Sequence, residues 1–166
     1  MALPRRRRKC TRARNLAVLA AALVLAADPR PPGAATTERV VTGWHTGLAI
    51  DGFDPVAYFT DGKPVAGRPE FELPFAQVVW RFCNEGNRAA FAEAPEVYLP
   101  RYGGYDPVAV ARGAATPGNP LIWLIADERL YLFHNPQAQA AFLADRRGIT
   151  ETADARWPEV TRQLVP

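Results

Sequence analysis

Residues 121–126 and 129–133 (LIWLIA and RLYLF) are two apolar runs separated by Asp127 and Glu128, and Asn135-Pro136 follows them almost at once. The two runs predict an antiparallel hairpin. Asn135 predicts a helix start, because its side chain can accept a hydrogen bond from a free first-turn amide. Pro136 suits the next position, where a missing N–H costs nothing. Ala138, Ala141 and Phe142 give that helix its inward face, and Gly148 is the expected stop. The first arm of the hairpin is apolar on both faces, so it is expected to be covered on both sides.

The preceding stretch reads similarly but less sharply. Residues 56–59, 70–73 and 75–83 are expected strands. In the last of these, Val78, Trp80 and Phe82 share one face, and Val79, Arg81 and Cys83 share the other. Pro74 is expected to break the ladder. Asn84 predicts an N-cap for a helix over 85–94 with Ala90, Phe91 and Ala94 inward, and Pro95 predicts a stop or restart. The Gly103-Gly104 pair marks a tight irregular segment before helical turns at 108–112. A last helix is expected over 152–164, interrupted at Pro158. No internal repeat is evident. The expected fold is α+β: a small antiparallel sheet of short strands and hairpins packed with about three helices.

The formal charge of +3 belongs to one end of the chain. Eight basic residues and one acid lie before residue 36, leaving 12 basic against 16 acidic residues in the remainder, a net of −4. That acidic body is a poor match for nucleic acid, whose phosphates need a basic surface. Residues 5–14 are basic and residues 15–27 are apolar, with small residues after them, the order of a secretory signal peptide. The expected organisation is a signal peptide over 1–27, a Pro/Gly/Ala-rich linker over 28–47 and a domain over 48–166. Export to a periplasmic or extracellular space follows, with no stable membrane span in the mature chain. Removal of the signal takes Cys10 with it and leaves Cys83 without an internal partner.

Three segments resemble the YHS domain family, in its exported branch: Asp51-Gly52-Phe53-Asp54-Pro55-Val56-Ala57-Tyr58-Phe59, Trp80-Arg81-Phe82-Cys83-Asn84-Glu85 with Gly86-Asn87-Arg88-Ala89-Ala90-Phe91, and Tyr98-Leu99-Pro100-Arg101-Tyr102-Gly103-Gly104-Tyr105. The hairpin with its Asn135 helix and the Ala153–Pro158 end are similar to that branch too, so the resemblance covers about residues 48–158. It implies a small sheet with a helix following the strand that ends in Phe-Cys. It also implies three metal-binding cysteines, one after Asp-Pro-Val and two in Phe-Cys-Ser-x-x-Cys, and in the exported branch a cysteine or selenocysteine after Tyr-Gly-Gly-Tyr. In this chain those positions are Ala57, Cys83, Asn87 and Asp106, so one thiolate of the three remains and Asp106 stands at the redox position.

Cys83 ends a strand just before a helix, where helix amides and Arg81 would favour its thiolate. Its other reading is a small buried apolar residue. His134 precedes a cap and is a ligand, a pH switch or a structural hydrogen-bonding group. His45 is expected on a flexible arm. Asp106 with Tyr102 and Tyr105 is expected to line a polar notch or to cap the next turn, and Asp51 and Asp54 read as turn formers. Trp80, Trp123 and Trp157 read as core anchors. No carboxylate pair, Gly-x-Ser-x-Gly, phosphate loop or His-Glu-x-x-His is present, so no residue is assigned a catalytic role. The expected function is a non-catalytic module binding a ligand or a protein partner through Cys83, Asp106, His134, Tyr102 and Tyr105. Any copper, zinc or iron would be held weakly. The alternatives are a single-thiol redox or metal-handling accessory protein using Cys83, and a purely structural or interaction domain.

Overall fold

A computed structural model describes residues 39–164. The expected signal peptide, Cys10 and linker residues 28–38 lie outside the described residues. The elements run α1 (Ala57–Thr60), β1 (Arg68–Phe75), β2 (Val78–Phe82), α2 (Glu85–Glu93), α3 (Pro95–Tyr98), α4 (Pro107–Ala111), β3 (Asn119–Ala126), β4 (Arg129–Phe133), α5 (Pro136–Ala144) and α6 (Arg146–Arg162). β1 pairs antiparallel with β2 and β3 with β4, as two separate sheets. The fold is α+β, with more helices than expected. Among the described residues no helix is long and apolar enough to cross a membrane.

The chain contains an internal repeat that the sequence reading missed. Gly52-Phe53-Asp54-Pro55-Val56-Ala57 recurs as Gly104-Tyr105-Asp106-Pro107-Val108-Ala109. In both copies a left-handed turn leads in, at Ile50 and Asp51 (φ 42° and 57°) and at Tyr102 and Gly103 (φ 54° and 62°). Both Asp-Pro-Val-Ala segments start a short helix, and both are followed by a hairpin, an Asn cap and a nine-residue helix. Each hairpin has the same irregularity, with register shifting between Arg68 and Glu72 in one and between Asn119 and Trp123 in the other. Each turns on two residues of positive φ, Ala76-Gln77 and Asp127-Glu128, whose left-handed conformation matches the strand twist. Gly67 and Gly118 donate to the carbonyls of Gly52 and Gly104, both at 2.9 Å. A Cβ on either would come within 2.4 Å of Arg81 or 2.6 Å of Leu132, so the turn-to-strand approach requires glycine in both copies.

Each repeat builds its own core. In the first, Phe91 of α2 meets Trp80 and Phe82, both with ring centroids at 5.2 Å. In the second, Phe142 of α5 meets Tyr131 at 4.9 Å and Phe133 at 5.3 Å. β4 joins the two cores: Leu130 and Leu132 face the first, Tyr131 and Phe133 the second. It is therefore β4, not the first arm, that is fully covered on both faces. β3 is half-buried, and Leu121 is 61% exposed. As an edge strand, β3 has carbonyls taken by side chains, Pro120 by the Tyr58 hydroxyl (2.9 Å) and Trp123 by Gln139 (2.8 Å). Such capping blunts further strand pairing.

Several local expectations are corrected. The expected strand over 56–59 is instead the start of helix α1, with Val56 as its cap, because the Asp54 carboxylate accepts from the Val56 and Ala57 amides. Pro74 does not break the ladder: it pairs with Val79 on the exposed strand β1, where its missing N–H faces away from the partner. Gly148 is not a stop. Helix α5 ends at Ala144, and Asp145 caps α6 by accepting from Gly148 N–H at 3.0 Å. α6 then runs through Pro158 without interruption. Order also begins before residue 48, since Val40 and Val41 are buried, one in each core. The caps at Asn84 and Asn135 form as expected, accepting from Asn87 N–H (2.8 Å) and Ala138 N–H (2.9 Å). Each is worth about 1 kcal/mol.

Candidate functional site

At the equivalent place in each repeat a buried aspartate ties the first short helix to the strand–helix junction. In the first repeat this is Asp54, wholly buried. Its Oδ1 accepts from the Val56 and Ala57 amides (2.9 and 3.3 Å). Its Oδ2 accepts from the Cys83 amide (2.8 Å) and from the Asn87 side-chain amide (2.7 Å). From sequence Asp54 is expected only as a turn former. In the second repeat Asp106 accepts from Val108 and Ala109 through Oδ1 (2.8 and 3.3 Å) and from the His134 amide through Oδ2 (2.8 Å). Asp106 therefore caps α4, one of its two expected roles.

Cys83 and His134 are thus equivalent positions on separate sites. The structure brings Asp106 and His134 together and leaves Cys83 with Asp54. Tyr102 and Tyr105 do not line a notch with Asp106. Tyr102 donates its hydroxyl to Asp154 of α6 at 2.9 Å, and Tyr105 is buried against Trp157. Trp80 is wholly buried, and Trp123 and Trp157 are partly buried against the cores. His45 is exposed and stacks edge-on with Trp44.

The surroundings of Cys83 oppose activation. Partial burial pushes the thiol up, and the adjacent Asp54 carboxylate adds to this by hydrogen bonding and charge, against a smaller opposite effect from Asn84. Arg81 does not offset this, because its guanidinium is engaged by Glu72 at 2.7 Å. Alkylation of Cys83 by iodoacetamide is therefore expected to be slower at pH 7 than that of a free cysteine peptide, and to rise only above the ordinary thiol range. Peptide mapping by mass spectrometry against pH would measure this, and fast labelling of Cys83 at pH 7 would contradict it. Nor does a metal cage surround the sulfur: among the described residues no three His, Cys, Asp or Glu side chains come together as ligands. Ala57 is buried beside this junction with no donor to offer, and Asn87 gives its amide to Asp54.

The second repeat holds a cleft of about 410 Å³ between α4 and α5. Asp106 and His134 lie in it together with Arg112, Thr116 and Gln137. Its apolar wall is Val108, Ala109, Ala138 and Ala141. Ala141, expected in the core, is exposed there instead. The His134 ring has a fixed hydrogen bond, Nδ1 to the Pro117 carbonyl at 3.1 Å. A carbonyl only accepts, so Nδ1 carries a proton, which makes Nε2 the acceptor of the ring's neutral tautomer. The site thus combines a carboxylate, an oriented imidazole, an exposed guanidinium and short apolar side chains. A second depression of about 350 Å³ between Trp44, Asp51, Pro117 and Pro120 contains none of Cys83, Asp106, His134, Tyr102 and Tyr105.

Arg112, Thr116, Gln137 and Ala138 were not singled out by the sequence reading. The signal that would have found them is the recurring Gly-aromatic-Asp-Pro-Val-Ala motif, which aligns the two repeats and sets Ala138 against Asn87. No protein-family model, no curated protein and no solved structure matches the chain.

Proposed function

We propose that this chain is an exported, YHS-like, non-catalytic module that binds a small ligand in the cleft between α4 and α5. The observation that carries this reading is the concave site of about 410 Å³ that holds both Asp106 and His134, two of the five ligand-binding residues selected from sequence. Ligand sites are commonly clefts of this size with an apolar wall and a few polar groups that fix orientation. The Asp106 carboxylate is held by three backbone amides and the His134 ring by a carbonyl, so both groups are preorganised and little ordering cost accompanies binding.

The redox alternative draws no support from Cys83, whose neighbours favour the neutral thiol. Metal handling through Cys83 would require ligands from a partner.

The test is thermal unfolding of the full chain against a panel of small polar metabolite-like compounds. A true ligand at a hundredfold excess over its Kd stabilises by about 2.7 kcal/mol. His134→Ala, which removes the oriented acceptor while leaving the amide bonded to Asp106, is expected to abolish most of that gain. Stabilisation equal in wild type and His134→Ala would place the ligand elsewhere.

A further inference from the structure

The two repeats differ at one side chain that decides whether the aspartate is closed off. In the first repeat, position 87 is Asn, and its Nδ2 donates to Asp54 Oδ2 at 2.7 Å. The same oxygen receives the Cys83 amide at 2.8 Å. In the second repeat the equivalent residue is Ala138, which follows the Asn135 cap by three positions just as Asn87 follows Asn84. Asp106 Oδ2 receives the corresponding His134 amide, also at 2.8 Å. Ala138 has no side-chain amide to give, and Asp106 and Ala138 both line the cleft.

We propose that the cleft takes a small molecule with an N–H donor head, a primary carboxamide or primary ammonium, which donates to Asp106 where Asn87 donates to Asp54. This rests on the reading of the cleft as a ligand site and adds the class of ligand. The first repeat serves as an internal template: the protein supplies there the group that the ligand supplies in the second. Asp106 and His134 both line the cleft: the carboxylate accepts, and with Nδ1–H on the Pro117 carbonyl, Nε2 is the one ring nitrogen left to accept from a ligand. An N–H donor to a carboxylate makes a charge-assisted bond, roughly twice as strong as one between neutral groups. The small side chains Val108, Ala109 and Ala141 leave room for a short aliphatic body. Arg112, exposed in the lining of the cleft, disfavours a second positive charge on the ligand.

The experiment is a titration of the full ¹⁵N-labelled chain with acetamide, propylammonium and acetate, followed by amide shifts. With acetamide or propylammonium, saturable shifts at the amides of Val108, His134 and Ala138 are expected, with Kd on the order of millimolar for so few atoms. Ala138→Asn, which rebuilds the first-repeat arrangement, is expected to weaken binding at least about tenfold while keeping a dispersed, folded spectrum. Ala138→Val, which narrows the cleft without adding a donor, is the second variant and is expected to weaken binding as well. Undiminished binding in both folded variants would overturn the proposal. Saturable acetate binding at the cleft with no response to either donor would overturn the donor head and leave the cleft as a ligand site. Silence from all three probes, together with no stabilising compound in the thermal panel, would overturn both.

Discussion

Replacing Asp54 with alanine is expected to destabilise the protein by about 3–5 kcal/mol, the range for leaving several buried partners of one charged group unpaired. Four donors lose their acceptor at once: the amides of Val56, Ala57 and Cys83 and the side chain of Asn87. Asp54 is wholly buried, so water cannot simply take its place. The bonds also join segments far apart in sequence, fastening α1 to the junction of β2 and α2. Against a typical domain stability of about 5–15 kcal/mol, such a loss leaves little folded protein at moderate denaturant. Urea unfolding of the full chain measures it. Asp54→Asn keeps the acceptor at Oδ1 and is expected to fall between wild type and Asp54→Ala. A loss below about 1 kcal/mol for Asp54→Ala would mean the carboxylate is not the fastening that its hydrogen bonds describe.

Phe91→Ala and Phe142→Ala are each expected to cost about 3–5 kcal/mol, the usual range for removing a buried phenylalanine. Phe91 is wholly buried among Trp80, Phe82 and Phe75, and Phe142 among Tyr131 and Phe133. The two rings occupy the same position in the two repeats but sit in separate clusters on opposite faces of β4. Their effects should therefore add, because they share no direct partner. The double variant, losing about twice as much, is expected to be largely unfolded without denaturant. Circular dichroism and urea midpoints on the two single variants and the double variant would check this. A double variant no less stable than the worse single one would show that the two cores are not independent.

The parts of the fold that were legible in sequence carry their signal in adjacent residues. Asn135-Pro136 names a cap and a first helical position together, and the cap forms there. The β3–β4 hairpin was legible because both arms are apolar and separated by two acidic residues. The β1–β2 hairpin was not, because Ala76-Gln77 carries no turn signature and adopts positive φ only under the pull of the paired strands. Pro74 misled for a related reason: whether proline breaks a ladder depends on which side of the strand is an edge, and that is decided by the tertiary arrangement. Gly148 misled because Asp145 offers a cap, so the chain restarts a helix at Arg146, two residues before the glycine. Residues 39–47 read as linker by composition, yet Val40 and Val41 meet cores assembled from residues far along the chain.

At the site, the identities of Asp106 and His134 were legible and their pairing was not. The bond between the His134 amide and Asp106 spans 28 residues and uses a backbone group, which no side-chain pattern reveals. Of the two readings of Cys83, the activated thiol is opposed by Asp54, 29 positions away, whose hydrogen bond and charge work against the thiolate. Tyr102 was grouped with Asp106 by proximity in sequence, but the left-handed turn at Tyr102 and Gly103 directs its hydroxyl to α6.

The most direct test of the account is a small-fragment soak of crystals of the protein, read for electron density between α4 and α5. The account predicts bound fragments in that cleft, against Asp106 and the His134 ring, with few elsewhere. An empty cleft, or fragments gathered instead around Cys83 or beside Trp44, would contradict it.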